Sequence, residues 1–300
     1  MSMIHKITDK AWGDCIALQN DQVELLIPLS VGPRIVRYAF RGGINPFNEY
    51  PFQLKETNRE KWYSYGGHRL WHAPEDAVRT YIPDNEPIRV ETCGEALRLV
   101  QKIEPITQIQ KEMDVTLDSS GSHVRVVHHM RNHSLWDIRL ALWAVSVMAP
   151  GGKAILPLPP RGGHESNLLA QTSLNLWAYT DMQDPRWTFG QKFITLRQDP
   201  ESASAQKMGI AQSGGWVAYV NHGQAFITRS KYQPDQVYPD RGSHFELYTD
   251  KKCTEVEALS PFVTLAPGSA AEFVEDWNLI DQVGECGTEE EIERQFAAVG

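Results

Sequence analysis

The chain has 300 residues, a formal net charge of −9, 41% hydrophobic and 22% charged residues. That balance is that of a soluble globular protein and excludes a disordered or fibrous chain. The acidic surplus argues against sequence-independent nucleic-acid binding, which needs a basic surface to displace counterions from phosphates.

No apolar run approaches membrane-spanning length, and Met1 to Lys6 lack the apolar core of a secretion signal, so a cytoplasmic protein with no membrane partner is expected. Four cysteines, Cys15, Cys93, Cys253 and Cys286, lie far apart with no C-x-x-C pair. They predict free, buried thiols rather than a zinc ribbon or redox motif.

After a polar start, the short apolar runs 22–28 and 33–40, joined through Val31-Gly32-Pro33, predict a hairpin. From Asn45 to Ile88 no clean periodicity appears, which predicts a long excursion, and long loops are more often functional than decorative. This segment carries Gly66-Gly67-His68-Arg69-Leu70-Trp71-His72-Ala73-Pro74-Glu75, with two imidazoles, a guanidinium, an indole and a carboxylate in ten residues. It predicts a functional loop opened by glycines and stiffened at its exit by proline. His68 and His72 are four apart and would share a helix face, but the glycines and Pro74 argue against a helix. With no supporting cysteine and no third ligand in view, neither a metal nor another cofactor is expected.

Strand-length runs then follow one another at 88–90, 96–103, 109–117, 123–130 and 138–148, separated by turn residues. Alternation places His128 and His129 on opposite sides of a sheet, where both read as hydrogen-bonded structural groups. The prolines of 156–160 predict an edge or crossing segment. Arg161-Gly-Gly-His-Glu165 repeats the earlier Gly-Gly-His, and Asp181 to Phe189, with Trp177 and Tyr179 beside it, reads as an aromatic-rich loop. Short strands resume at 192–196, 208–211, 216–221, 225–230, 244–249, 254–259 and 271–279. A Thr288 N-cap with an acidic first turn then predicts one helix over 288–298. The succession is that of an all-β, antiparallel sandwich closed by one C-terminal helix, and with no linker composition the whole of 1–300 reads as a single domain.

Two of these strands carry a titratable cluster. Period-two alternation sets His244, Glu246 and Tyr248 on one face of 244–249, and Glu255 and Glu257 on one face of 254–259. If the faces coincide, neighbouring carboxylates raise one another's proton affinity, which suits one of them to act as a general base near neutral pH.

The stretch Glu255 to Trp277 resembles the C-terminal signature of the galactose mutarotase-like (aldose 1-epimerase-like) proteins, in an uncharacterised branch rather than among true mutarotases. A strand glutamate is followed by an apolar stretch, the turn Leu265-Ala266-Pro267-Gly268, and a last strand with Phe273 and Trp277. The resemblance implies a supersandwich holding a monosaccharide, with Glu257 as the base that takes the anomeric proton and a histidine as the acid that protonates the ring oxygen. The stretch comparable to the family's histidine strand, Ala141 to Val147, holds no histidine. Either His68, His72 or His244 takes over the acid role, or the protein binds sugar without epimerising it. Arg69 is expected to bond sugar hydroxyls and Trp71 to stack on the sugar ring, with Glu75 and Glu246 as further substrate-binding groups.

The expected function is therefore mutarotase-like acid/base chemistry on a small carbohydrate. The alternatives are a sugar-binding module without turnover, or a glycan lyase or hydrolase using Glu75 or Glu246 as a second carboxylate. Arg34, Arg37 and Arg69 are candidates for a phosphate or carboxylate on the ligand. The residues leave the sugar and the oligomeric state open.

Overall fold

Alternation of apolar and polar residues resolves into antiparallel sheets in a computed structural model that describes residues 3–211 and 214–299. A four-stranded sheet runs in the order Met3–Asp9, Gly13–Gln19, Val23–Pro28, Arg37–Phe40. A ten-stranded sheet has Ala270–Asp281, Val124–Asn132 and Ile109–Leu117 side by side near its middle. An eight-stranded sheet runs Leu174–Leu176, Gln206–Ile210, Phe245–Thr249, Thr254–Leu259, Ile138–Met148, Gly67–Ala73, Arg34–Ile35, with Val263–Leu265 also paired to Ile138–Met148.

The two large sheets bury one continuous core. Leu140, Leu142, Ala144 and Met148 from one sheet share it with Met113, Val126, Met130 and Phe273 from the other. Tyr38, Phe47, Phe226 and Trp277 interlock where the small sheet joins them, with ring centroids between 5.1 and 6.5 Å apart. Such pairs stabilise by about 0.5–1.5 kcal/mol each beyond their buried area. The C-terminal helix, Glu289–Phe296, begins at Thr288, whose side chain and that of Glu291 cap each other's backbone. Its Ile292 and Phe296 are buried against the ten-stranded sheet. The all-β sandwich with one late helix is thus the observed architecture.

Four expectations are corrected. The 22–28/33–40 hairpin forms, but it is extended by Met3–Asp9 and Gly13–Gln19. The first of these is an edge strand whose Met3, Ile4 and Ile7 are exposed, so it shows no buried face to betray it. Of the proline-rich segment, Leu156 and Pro157 end an interior strand, Lys153–Pro157, where only the Phe193–Arg197 side is paired, while 158–160 lie outside the strands. Cys15, Cys253 and Cys286 are buried, whereas Cys93 is exposed.

The largest correction is that the Gly66 to Glu75 stretch is not a loop. Gly67–Ala73 is a fully buried strand of the eight-stranded sheet, paired with Ile138–Met148 on one side and Arg34–Ile35 on the other. Gly66 and Gly67 have φ of +78° and +65°, and they bring the chain so close to its neighbours that a Cβ on Gly67 would lie 2.4 Å from the Ile35 carbonyl oxygen. Gly67→Ala combines a left-handed backbone with a backbone clash and is expected to destabilise by about 2–4 kcal/mol. A melting temperature within a degree of the unsubstituted chain would refute this account of the strand entry.

Candidate functional site

Alternation along Gly67–Ala73 divides the predicted site residues between two faces. Arg69 and Trp71 face away from the ten-stranded sheet and line a cleft of about 400 Å³ with Trp143, Lys207 and Glu255. A second lobe, sharing Glu75, Tyr81, Trp143 and Lys207 with the first, reaches Asp240. His68 and His72 lie on the opposite face, with Leu70 in the core.

The register carries the cleft face across the sheet. Arg69 is opposite Val145, Val145 opposite Glu257, and Glu257 opposite Glu246. In the next row Glu255 is opposite Tyr248, which is opposite Lys207. The faces of the two carboxylate-bearing strands therefore coincide.

At the centre stands Lys207, whose Nζ lies 2.8 Å from a carboxylate oxygen of Glu246 and 2.8 Å from one of Glu257. The indole Nε1 of Trp143 donates to the same Glu257 Oε2 at 2.8 Å. Both glutamates are wholly buried. Burial raises both carboxyls, and each feels a neighbouring carboxylate as well. Burial alone would lower the Lys207 ammonium, but Glu246 and Glu257 together hold it well above its ordinary value. Two carboxylates and one ammonium would leave a net negative charge out of water. One shared proton removes it, and Glu246, which lacks the Trp143 donor that Glu257 has, is the better placed of the two to carry it. Asp240, raised chiefly by burial, continues this acidic row into the second lobe.

Aromatic rings wall the cleft. Trp62, Trp71 and Tyr81 contact one another at 5.1–5.4 Å, and Trp71 meets Trp143 at 5.2 Å. The Arg69 guanidinium covers the Trp71 ring at 4.0 Å and donates to Glu255 at 2.9 Å. That Trp71 face is therefore occupied, and Trp62, Tyr248 and the exposed Tyr179 offer the more accessible rings. Nε and Nη1 of Arg69 have no hydrogen-bond partner, so the cleft retains buried donors for a ligand's oxygens. Glu75 is exposed at the rim and accepts the Tyr81 hydroxyl.

The expected glutamate–histidine pair does not form. His68 is hydrogen-bonded to Ser146 and His128 between the sheets. His72 bonds the Arg79 carbonyl at 3.1 Å, and burial lowers it to about 4. His244, just before the strand Phe245–Thr249, turns to Ser230 at 2.9 Å among Tyr232, Tyr238 and Phe245, and burial lowers it to about 3. His128 is buried between the sheets while His129 bonds Asp114 on the other face, as alternation requires. Arg34 is a buried ion-pair partner of Asp84, and Arg37 is engaged by Glu49, so neither serves the cleft.

Sequence reasoning missed Lys207, Trp143 and Asp240. Lys207 has one local signal, a lone cation beside the apolar Met208–Ala211 run. Its two carboxylate partners come together only through strand pairing.

Two predictions follow from this electrostatics. Glu246→Gln imitates the protonated state and is expected to shift the melting temperature little, whereas Lys207→Met strands a buried carboxylate and should cost about 3–5 kcal/mol. Equal losses in the two variants would refute the placement of the proton. His72 and His244 should remain neutral at pH 5 in imidazole NMR shifts. Their folded values lie below the unfolded ~6.5, so only the unfolded chain gains protons as pH falls below that value. Each therefore withdraws stability as pH drops from about 6.5 toward about 4 for His72 and about 3 for His244. Titration of either ring near 6.5 in the folded chain would contradict this.

Known structures share this architecture at low identity. A TPR-domain containing protein from Parabacteroides distasonis superposes with a TM-score of 0.61 at 11% identity over 92% of the chain; the chain spans 48% of that protein, about half its length. The Slr1438 protein from Synechocystis gives 0.55 at 10% identity, covering 94% of the chain and 96% of its own. A galactose mutarotase-like protein from Lactobacillus casei gives 0.55 at 9% identity, covering 89% and 100%. No curated protein matches in sequence. Residues 88–280, well over half of the chain, match the family described as Domain of unknown function (DUF4380). The chain belongs to that family and has a galactose mutarotase-like fold.

Proposed function

We propose that the cleft binds a small sugar and interconverts its anomers by acid/base chemistry centred on Glu257 and Lys207. The observation that carries this reading is the position of Lys207: its ammonium lines the cleft while ion-paired at 2.8 Å with each of two buried carboxylates. The aromatic wall and the unpartnered Arg69 nitrogens supply what a sugar needs, ring faces for its C–H surface and donors for its hydroxyls. The fold is one that galactose mutarotase-like proteins use.

In this mechanism Glu257 takes the proton of the anomeric hydroxyl as the bond from C1 to the ring oxygen breaks. Lys207 donates a hydrogen bond to the ring oxygen, where negative charge develops. Its own raised proton affinity makes it a poor proton donor. The proton delivered to that oxygen comes instead from Asp240, whose carboxyl is raised and lines the second lobe. Rotation about the C1–C2 bond and the reverse proton transfers close the ring on either face.

One observation favours a second reading, a sugar-binding protein without turnover. Glu257 has no exposed surface, and its Oε2 is already held by Trp143 and Lys207, so it reaches a substrate only if Lys207 moves. Anomer exchange followed by NMR over a panel of aldoses separates the two. Mutarotation predicts acceleration that falls by about 100-fold or more in Glu257→Gln, the scale of a lost general base. Sugar line broadening with no acceleration, retained in Glu257→Gln, would overturn it in favour of binding alone.

A further inference from the structure

We infer that His68, His128 and Glu275 hold a divalent transition-metal ion of zinc type between the two large sheets. His68 comes from the eight-stranded sheet, on the face opposite the cleft. His128 and Glu275 come from the adjacent strands Val124–Asn132 and Ala270–Asp281 of the ten-stranded sheet. All three side chains are at most 2% exposed. Among the described residues they are the group of histidine, cysteine and carboxylate side chains whose donor atoms converge as a metal ion requires.

The distances fit an ion. Nε2 of His68 lies 2.7 Å from Nε2 of His128, and each lies 3.5 Å from Oε2 of Glu275. The point equidistant from these three atoms is about 1.9 Å from each, and a small displacement out of their plane reaches the ~2.0–2.2 Å of zinc–nitrogen and zinc–carboxylate bonds.

The outer contacts aim lone pairs at that point. His128 Nδ1 lies 3.2 Å from the Phe273 carbonyl oxygen, which can only accept, so Nδ1 carries the hydrogen and Nε2 presents its lone pair inward. His68 Nδ1 is held by the Ser146 hydroxyl at 2.9 Å. Glu275 Oε1 accepts the Thr228 hydroxyl at 2.7 Å, which leaves Oε2 buried and without any hydrogen-bond partner. Ligands each fixed by a second contact are the arrangement metal sites use. Two imidazoles and a carboxylate suit zinc better than magnesium or calcium, which prefer all-oxygen sets.

The competing arrangement without an ion lets His68 Nε2–H donate to His128. It satisfies both rings but leaves Glu275 Oε2 in the core, where the Trp277 indole approaches without completing a hydrogen bond. An ion in this position ties one sheet to the other through three protein ligands, on the far side of the eight-stranded sheet from the cleft.

Elemental analysis tests this directly. The full chain is produced in zinc-supplemented and zinc-depleted media, then stripped of loosely held metal with EDTA and gel filtration. About one zinc per chain in the supplemented sample, with a melting temperature several degrees above the depleted one, is the expected result. Glu275→Gln keeps the size and the Thr228 contact, and with His128→Asn it should lose the zinc. His164→Gln, on the exposed 3₁₀ turn His164–Ser166, should keep it. Less than half an equivalent in the supplemented wild-type chain, or equal zinc in wild type and a folded Glu275→Gln, would overturn the proposal. If neither core variant folds, the stoichiometry and zinc-dependent melting of the wild-type chain decide it.

Discussion

One constraint organises the molecule: successive side chains of a strand point to opposite sides of the sheet. On Gly67–Ala73 this sends Arg69 and Trp71 to the cleft and His68, Leu70 and His72 to the core, with no loop or hinge between the two environments. The register with Ile138–Met148 and Thr254–Leu259 then extends each environment across the sheet. Arg69, Glu257 and Glu246 come into one row, while His68 and Ser146 fall into another on the far side. The close entry of the strand, set by Gly66 and Gly67, holds this register against Asn48 and Ile35.

The second organising feature is the handling of charge out of water. A buried carboxylate is tolerated when a cation and hydrogen-bond donors meet it, and Glu257 has both in Lys207 and Trp143. Glu246 shares the cation but has no other donor, so protonation is its remaining route to neutrality. Buried ion clusters add little net stability when assembled and cost much when half removed. Of this cluster Lys207 lines the cleft, while Glu246 and Glu257 lie wholly buried behind it.

Much of the fold was legible because most strands obey period two and are punctuated by turns. Ile109–Leu117, Ile138–Met148, Trp216–Asn221 and Thr254–Leu259 coincide with the runs read from the sequence, and Thr288 caps the helix as expected. Gly67–Ala73 escaped because it is buried on both faces: with polar groups on both sides and a glycine entry it carries no apolar alternation. The coincidence of the Glu246 and Glu257 faces was conditional in the sequence and is met by direct pairing. Lys207 escaped for a different reason. It is about forty and fifty residues from its partners, and only tertiary pairing makes a lone strand lysine into the centre of a carboxylate cluster.

The crowding of indoles in the cleft has an optical consequence. Trp62, Trp71, Trp143 and Trp177 are four of the nine tryptophans, and Arg69 or Lys207 stands within 5.4 Å of each of their ring centres. A positive charge beside an indole shifts its excited state, so a ligand that moved Arg69 or Lys207 would change the emission of the unlabelled protein. The cleft thus carries its own intrinsic reporter of occupancy.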